Sequence, residues 1–172
     1  MKISIINNKT VYMMFYAFYA YSGNITVFIR SFITAFAAVA VFAVILDMPK
    51  NLTLFAGLVG AVGYMAYLTA GIYSKLEVTK VFWAMIVVAL ISHILARCLK
   101  APAAVFSVCG MIPFVPGGGI YRSVLYFIRG QGSLSNHYFS ETLQIAGAIA
   151  LAIFIVDSLF KMHNKNNKKN KK

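Results

Sequence analysis

From Asn51 to Ser74, twenty-four consecutive residues carry no charge. As an α-helix this stretch measures about 36 Å, enough to cross a hydrocarbon core about 30 Å thick. Residues 101–121 are equally free of charge. Residues 31–46, 81–96 and 142–156 are shorter, and each reaches a spanning length by admitting an Arg or an acid near its end, where the side chain snorkels to water. With 60% hydrophobic residues and only four acids in 172 residues, Asp47, Glu77, Glu141 and Asp157, the chain has too little polar surface for a soluble globule. It reads as an all-α, polytopic membrane helix bundle.

One stretch breaks the pattern. Gly110 to Ser123 sets Pro113, Pro116 and the triplet Gly117, Gly118, Gly119 inside an otherwise spanning segment. Each proline lacks a backbone donor and clashes with the preceding turn, and glycine opens backbone conformations closed to other residues. A continuous helix cannot pass, and unwound backbone survives in hydrocarbon only when buried in protein or lining a polar cavity. The stretch is therefore a candidate solute or ion site. Two half-helices, 102–112 and 119–130, would meet near the bilayer midplane. There the N–H groups at the start of the second half favour a carboxylate, and the carbonyls ending the first half favour a cation. Arg122 either adds a planar donor fork for a carboxylate or pairs with Glu141 or Asp157.

Four continuous spans accompany the broken one: Ile25–Leu46, Leu52–Tyr73, Val81–Leu99 and Glu141–Phe160. A re-entrant break is the alternative and leaves four crossings. Lys75, Glu77 and Lys80 mark a short polar loop before the third continuous span. Gly57, Gly60 and Gly63, with Ala56, Ala61 and Ala66, form a ridge of small residues suited to close helix packing. Residues 129–137 read as a flexible polar loop, with Ser140 capping the last helix. Cys98 and Cys109 show neither metal nor redox spacing and read as buried small hydrophobes.

Residues 1–23 form an aromatic N-terminal extension, with Tyr12, Tyr16, Tyr19 and Tyr21, suited to the membrane interface. Residues 24–161 hold the bundle. Residues 162–172 are a basic tail, and six of the sixteen cationic side chains lie between Lys161 and Lys172. The net charge of +12 therefore speaks for cytoplasmic orientation and anionic lipid, not nucleic acid. With the tail cytoplasmic and the broken segment crossing once, Lys50, Arg97 and Lys100 share its side.

No catalytic constellation is present: no paired intramembrane aspartates, no Ser/His dyad at workable spacing, no metal-ligand cluster and no cofactor motif. A membrane scaffold or assembly subunit would use the small-residue ridge but gives no reason for the break. If transport is ion-coupled, the candidate proton sites are Glu141, Asp157 and His93. His93 has a structural alternative in a hydrogen bond to a neighbouring helix, and Asp157 in an interfacial ion pair with Lys161.

The run Ser92…Ala96-Arg97…Lys100-Ala-Pro102…Phe106…Gly110-Met-Ile-Pro113-Phe-Val-Pro116-Gly-Gly-Gly-Ile-Tyr121 resembles the signature of the threonine/serine exporter family. More specifically, it resembles the small subunit corresponding to the C-terminal membrane half of the full-length exporter. The ending Glu141-Thr-Leu…Asp157-Ser-Leu-Phe-Lys161 is similar to the ends of such subunits. The Pro-Gly residues, Tyr121 and Arg97 match the family pattern; Arg122 does not carry over, and the aromatic extension departs from it. The resemblance implies a secondary exporter of small amino acids or small carboxylates in the plasma membrane, driven by protons. It also implies a larger partner subunit bearing a hydrophilic region and the other membrane half. Pro113, Pro116, Gly117, Gly118, Gly119, Tyr121 and Arg122 are the expected solute-binding or gating residues.

Overall fold

A computed structural model describes residues 25–169, with side chains from 26 to 162. The aromatic extension and the last three residues lie outside that range. Every element among the described residues is helical: α1 (Ile25–Ile45), α2 (Lys50–Tyr73), α3 (Glu77–Leu99), α4 (Ala103–Gly110), a 3-10 turn (Ile112–Phe114), α5 (Gly117–Ile128) and α6 (Gly132–Lys169). Helices α1, α2, α3 and α6 are long and apolar enough to cross a membrane, and residues 103–114 and 117–128 form a pair bent by 50°.

The helix ends follow from local chemistry. After α1, Asp47 adopts the left-handed conformation (φ 53°), and the Met48 N–H reaches back 3.1 Å to the Ala43 carbonyl. This closes the last turn in the manner of a Schellman motif, and Pro49 then precedes α2. Lys100 does the same after α3 (φ 53°), with Ala101 N–H 3.1 Å from the Ala96 carbonyl. Pro102 follows and caps α4.

The glycine ridge of α2 sets the spacing of the bundle. A Cβ built on Gly57 would lie 2.9 Å from the Phe36 ring, one on Gly60 2.4 Å from a Val39 methyl, and one on Gly63 2.3 Å from a Val88 methyl. The same helix thus seats α1 on one side and α3 on the other, around a core that includes Val39, Val59, Met85, Val88 and Phe106. Gly60→Leu is expected to push α1 off α2 at a cost of about 1–3 kcal/mol. Detergent melting of the purified protein checks this against Gly147→Leu, where nothing lies within 4 Å of an added Cβ. An unchanged Gly60→Leu melt would remove the ridge from the packing argument.

Contacts also fix helix direction. Glu77 and Val81 of α3 share a cavity wall with Ile145 of α6, His93 meets Asp157, and Arg97 lies over Phe160. Ascending numbers pair with ascending numbers, so α3 and α6 run parallel. The chain leaving the end of α3 must reach the opposite end of the bundle before α6 begins, and α4–α5 is the segment that makes the traverse. This geometry favours a crossing over a re-entrant loop.

Several expectations from the sequence are corrected. The last helix starts at Gly132, nine residues before Glu141, and the loop shrinks to Arg129–Gln131. Gly130 (φ 73°) makes that turn, and Ser140 caps nothing because it lies inside the helix. Residues 132–137 belong to the expected polar loop; they are helical because α6 packs antiparallel on α5 along this stretch. There Ser135 Oγ donates to the Ser123 carbonyl (2.8 Å) and Ser123 Oγ to the Ser135 carbonyl (3.2 Å), and the Tyr126 and Tyr138 rings stack at 5.4 Å. Cys109 is buried but Cys98 is exposed, on the outer face of α3. The third continuous span begins at Glu77, so Glu77 and Lys80 belong to its first turn and not to a loop.

The break is off-centre as well. A Cβ on Gly110 would meet Val59 and Val88, at the middle of α2 and α3, whereas Pro113 and Pro116 lie beside Glu77, the first residue of α3. The added 3-10 turn, about 6 Å long, carries the chain further towards that end.

Candidate functional site

The break encloses one wall of a cavity of about 260 Å³. Pro113, Phe114 and Pro116 form that wall, Tyr64 and Tyr67 come from α2, Glu77 and Val81 from α3, and Ile145 from α6. Its backbone is satisfied by tight turns: Phe114 N–H to the Met111 carbonyl (2.9 Å), Gly117 N–H to Val115 (2.8 Å), Gly119 and Ile120 N–H to Pro116 (3.1 and 3.2 Å). The helix resumes at Gly117, so unwinding is confined to Val115 and Pro116. None of the three glycines takes positive φ, and at Gly119 the advantage is the missing Cβ. A Cβ there would lie 2.2 Å from Thr142 Oγ1 on α6.

The polar side of the cavity is built by residues the sequence reading passed over. The Tyr67 hydroxyl donates to Glu77 Oε2 at 2.7 Å, and Lys80 pairs with Glu77 Oε1. Lys80 is only 5% exposed, its ammonium 5.2 Å from the centre of the Tyr67 ring. Tyr64 stacks on Tyr67 at 5.7 Å, and Phe114 tilts against Tyr67 at 6.0 Å. A charge of each sign is thus held at the start of α3, where a carboxylate also complements the helix dipole. The spacing Glu77-x-x-Lys80 was the available signal: it puts both side chains on one helical face. What hid it was the assumption that the run Lys75 to Lys80 is a loop.

The expected site residues separate into groups. Pro113 and Pro116 line the cavity. Gly119 is a packing position against Thr142. Gly117 and Gly118 open outwards, with nothing within 4 Å of an added Cβ. Tyr121 is 67% exposed. The Arg122 guanidinium lies over the Tyr138 ring, 5.5 Å from its centre, on the face of α5 that meets α6.

Two of the three candidate proton sites come together at the other end of α3. His93 Nε2 and Asp157 Oδ1 are 2.5 Å apart, the His93 ring stacks on Phe160 at 4.4 Å, and the Arg97 guanidinium lies over the same Phe160 ring, 4.9 Å from its centre. The partner of Asp157 is therefore His93 and not Lys161, which is exposed on the next turn. One turn of helix turns an aspartate from the tail end into the α3–α6 seam, which periodicity alone does not distinguish. Glu141 is half-buried on α6, one turn before Ile145 on the same face, and has no ion pair among the described residues. Glu77 and His93 are sixteen residues apart on α3, about 24 Å along the helix. No group of three or more His, Cys, Asp and Glu that could hold a metal ion occurs among the described residues.

A family model described as Threonine/Serine exporter, ThrE, matches residues 30–159. The match runs from Arg30 in α1 through α2, α3 and the whole break to Leu159 in α6. No curated protein and no solved structure matches the chain.

Proposed function

Because the chain belongs to the threonine/serine exporter family, we propose that it is one subunit of a proton-driven secondary exporter of small amino acids or small carboxylates. The observation that carries this reading is the cavity at the break: a span interrupted by two prolines faces Glu77, Tyr64 and Tyr67 across a space of about 260 Å³. That is below the roughly 300–1,000 Å³ of pockets for drug-sized ligands, a size suited to a solute of a few heavy atoms. Discontinuous membrane helices commonly mark transport sites.

The working unit includes a larger partner. The outward face of α5, with Ile120, Val124, Phe127 and Ile128 exposed, and the open first turn at Gly117 and Gly118 leave the break accessible from outside this chain. With α3 and α6 parallel, Lys50, Arg97, Lys100 and the basic tail fall at one end of the bundle and Arg30, Lys75, Lys80 and Arg129 towards the other, so the tail is what supports a cytoplasmic assignment of its end in a plasma membrane.

Liposomes containing the chain with its partner are expected to show flux of a small amino acid or carboxylate, accelerated by a pH gradient and absent from liposomes containing either subunit alone. An assembled complex without flux would turn the reading to a scaffold.

A further inference from the structure

We propose that α5 does not span the bilayer but lies in the headgroup and acyl boundary of the leaflet opposite the basic tail. Its outward face rests on lipid, and the outward face of α6 above it meets water. The crossing is completed by α4 and the break, and the α5–α6 hairpin anchors the break to the membrane surface.

The register of the helices carries the hairpin past the end of the bundle. Ile145 of α6 shares the cavity wall with Val81, one turn inside α3, and Asp157 meets His93, so the two helices keep the same offset at both places. The part of α6 that precedes Ile145 begins at Gly132 and measures about 20 Å. With 23 residues, α3 measures about 34 Å and already covers a hydrocarbon core about 30 Å thick. The packing partner of the overhanging stretch is α5: Gly119 faces Thr142, Ser123 and Ser135 exchange hydrogen bonds, and the Tyr126 ring stacks on Tyr138. The axis of 117–128 is turned 50° from that of 103–114, so α5 leaves the line of the traverse.

The two outward faces differ as a surface hairpin requires. The most amphipathic of the described helices is α5. At helical spacing Gly119, Ser123 and Tyr126 look towards α6, whereas Ile120, Val124, Phe127 and Ile128 look away from it and are 52–76% exposed. Tyr121 and Arg129, both exposed, flank that face, an aromatic and a cation of the kind that hold a helix at the headgroups. On α6 the side away from α5 carries Ser133, Asn136, Ser140 and Gln144, all exposed and three or four residues apart. Beyond Gln144 the same side turns apolar, with Leu151 and Phe154 exposed. By the offset that pairs Ile145 with Val81, the change from polar to apolar falls in the first turns of α3, where the membrane surface lies. Upright, the hairpin would hold the apolar face of α5 in water; lying down, it gives lipid and water each the face that suits it.

The test is depth-dependent quenching of tryptophan fluorescence in the full chain with its partner. The probe is a phosphatidylcholine vesicle brominated either near the headgroup or near the chain ends. Trp83→Phe removes the single tryptophan of this chain, and the signal of that complex is subtracted as background. On it, Ile120→Trp and Phe127→Trp report two places on the α5 face and Ser140→Trp the polar side of α6, all at exposed positions where the melting temperature should not change. Ile120→Trp and Phe127→Trp are expected to emit at shorter wavelength than Ser140→Trp. Both should be quenched to the same extent, more by shallow than by deep bromines, as for a helix sunk about 5–10 Å into the interface. Ser140→Trp should be quenched by aqueous iodide and not by brominated lipid. Unequal quenching of Ile120→Trp and Phe127→Trp, with one favouring deep bromines, would make α5 a transmembrane segment and overturn the proposal. Iodide quenching of both would stand the hairpin in water, and protection from lipid and iodide alike would give the face to the partner subunit; either result overturns it too. So would loss of iodide quenching in Ser140→Trp.

Discussion

Gly118→Leu is expected to lower export at least tenfold while leaving the protein in the membrane with an unchanged or slightly raised melting temperature. The separation of the two effects follows from local geometry. Gly118 lies in the first turn of α5 in ordinary helical conformation, and nothing in this chain comes within 4 Å of a Cβ placed there. Leu costs the fold nothing by collision and gains up to about 1 kcal/mol of helix propensity over Gly. What it changes is the open edge of the break next to Pro116, where an isobutyl group would obstruct the solute path or the approach of the partner. Gly117→Leu should behave alike. Gly119→Leu should not: the collision with Thr142 Oγ1 would loosen the α5–α6 hairpin, so that export and melting temperature fall together. Comparison of flux and detergent melting across the three variants makes the check, and normal export in Gly117→Leu and Gly118→Leu would take the glycines out of the transport path.

The second large effect is expected at the far end of α3. Asp157→Asn should abolish the acceleration of export by a pH gradient while solute exchange at equal pH on both sides continues. Asparagine keeps the shape and can still accept a hydrogen bond from His93, so the α3–α6 seam is retained. The variant loses a partly exposed charge interaction worth about 1 kcal/mol or less. What is removed is the carboxylate, so a proton can no longer pass between His93 and residue 157. The charged groups around it are Arg97 on α3, which shares the Phe160 ring with His93, and the exposed Lys161 on α6. His93→Gln tests the other half, and Glu141→Gln the remaining candidate. Gradient-driven flux that persists undiminished in Asp157→Asn would reduce His93–Asp157 to a structural hydrogen bond and shift attention to Glu141.

Part of this organisation is legible without coordinates. The uncharged run 51–74, the glycine ridge at Gly57, Gly60 and Gly63 and the prolines at 113 and 116 each act over a turn or two of helix. They give the helical class, four long helices and an interruption between Gly110 and Gly117. The errors have an equally local origin. Residues 132–140 carry little hydrophobic periodicity, yet they are helical because Ser135 and Tyr138 pack on Ser123 and Tyr126 of α5. Glu77 and Lys80 look like solvated charges between spans, yet Tyr67, one helix earlier, turns them inwards. Cys98 lies in an apolar segment but on its outer face, which a segment-wide average cannot resolve.

By itself the sequence determined what bilayer energetics and proline chemistry enforce: apolar lengths that must be helical because lipid cannot satisfy backbone groups, and a place where no helix can continue. Only the tertiary structure decided which way the segments run and which groups meet. The parallel course of α3 and α6 makes α4–α5 a traverse. It puts Glu77 opposite Pro113 and Pro116, and brings His93 to Asp157 across sixty-four residues. Those pairings depend on the azimuth and offset of each packed helix, set by contacts such as Gly63 on Val88 and Gly119 on Thr142. No window along the chain contains both partners.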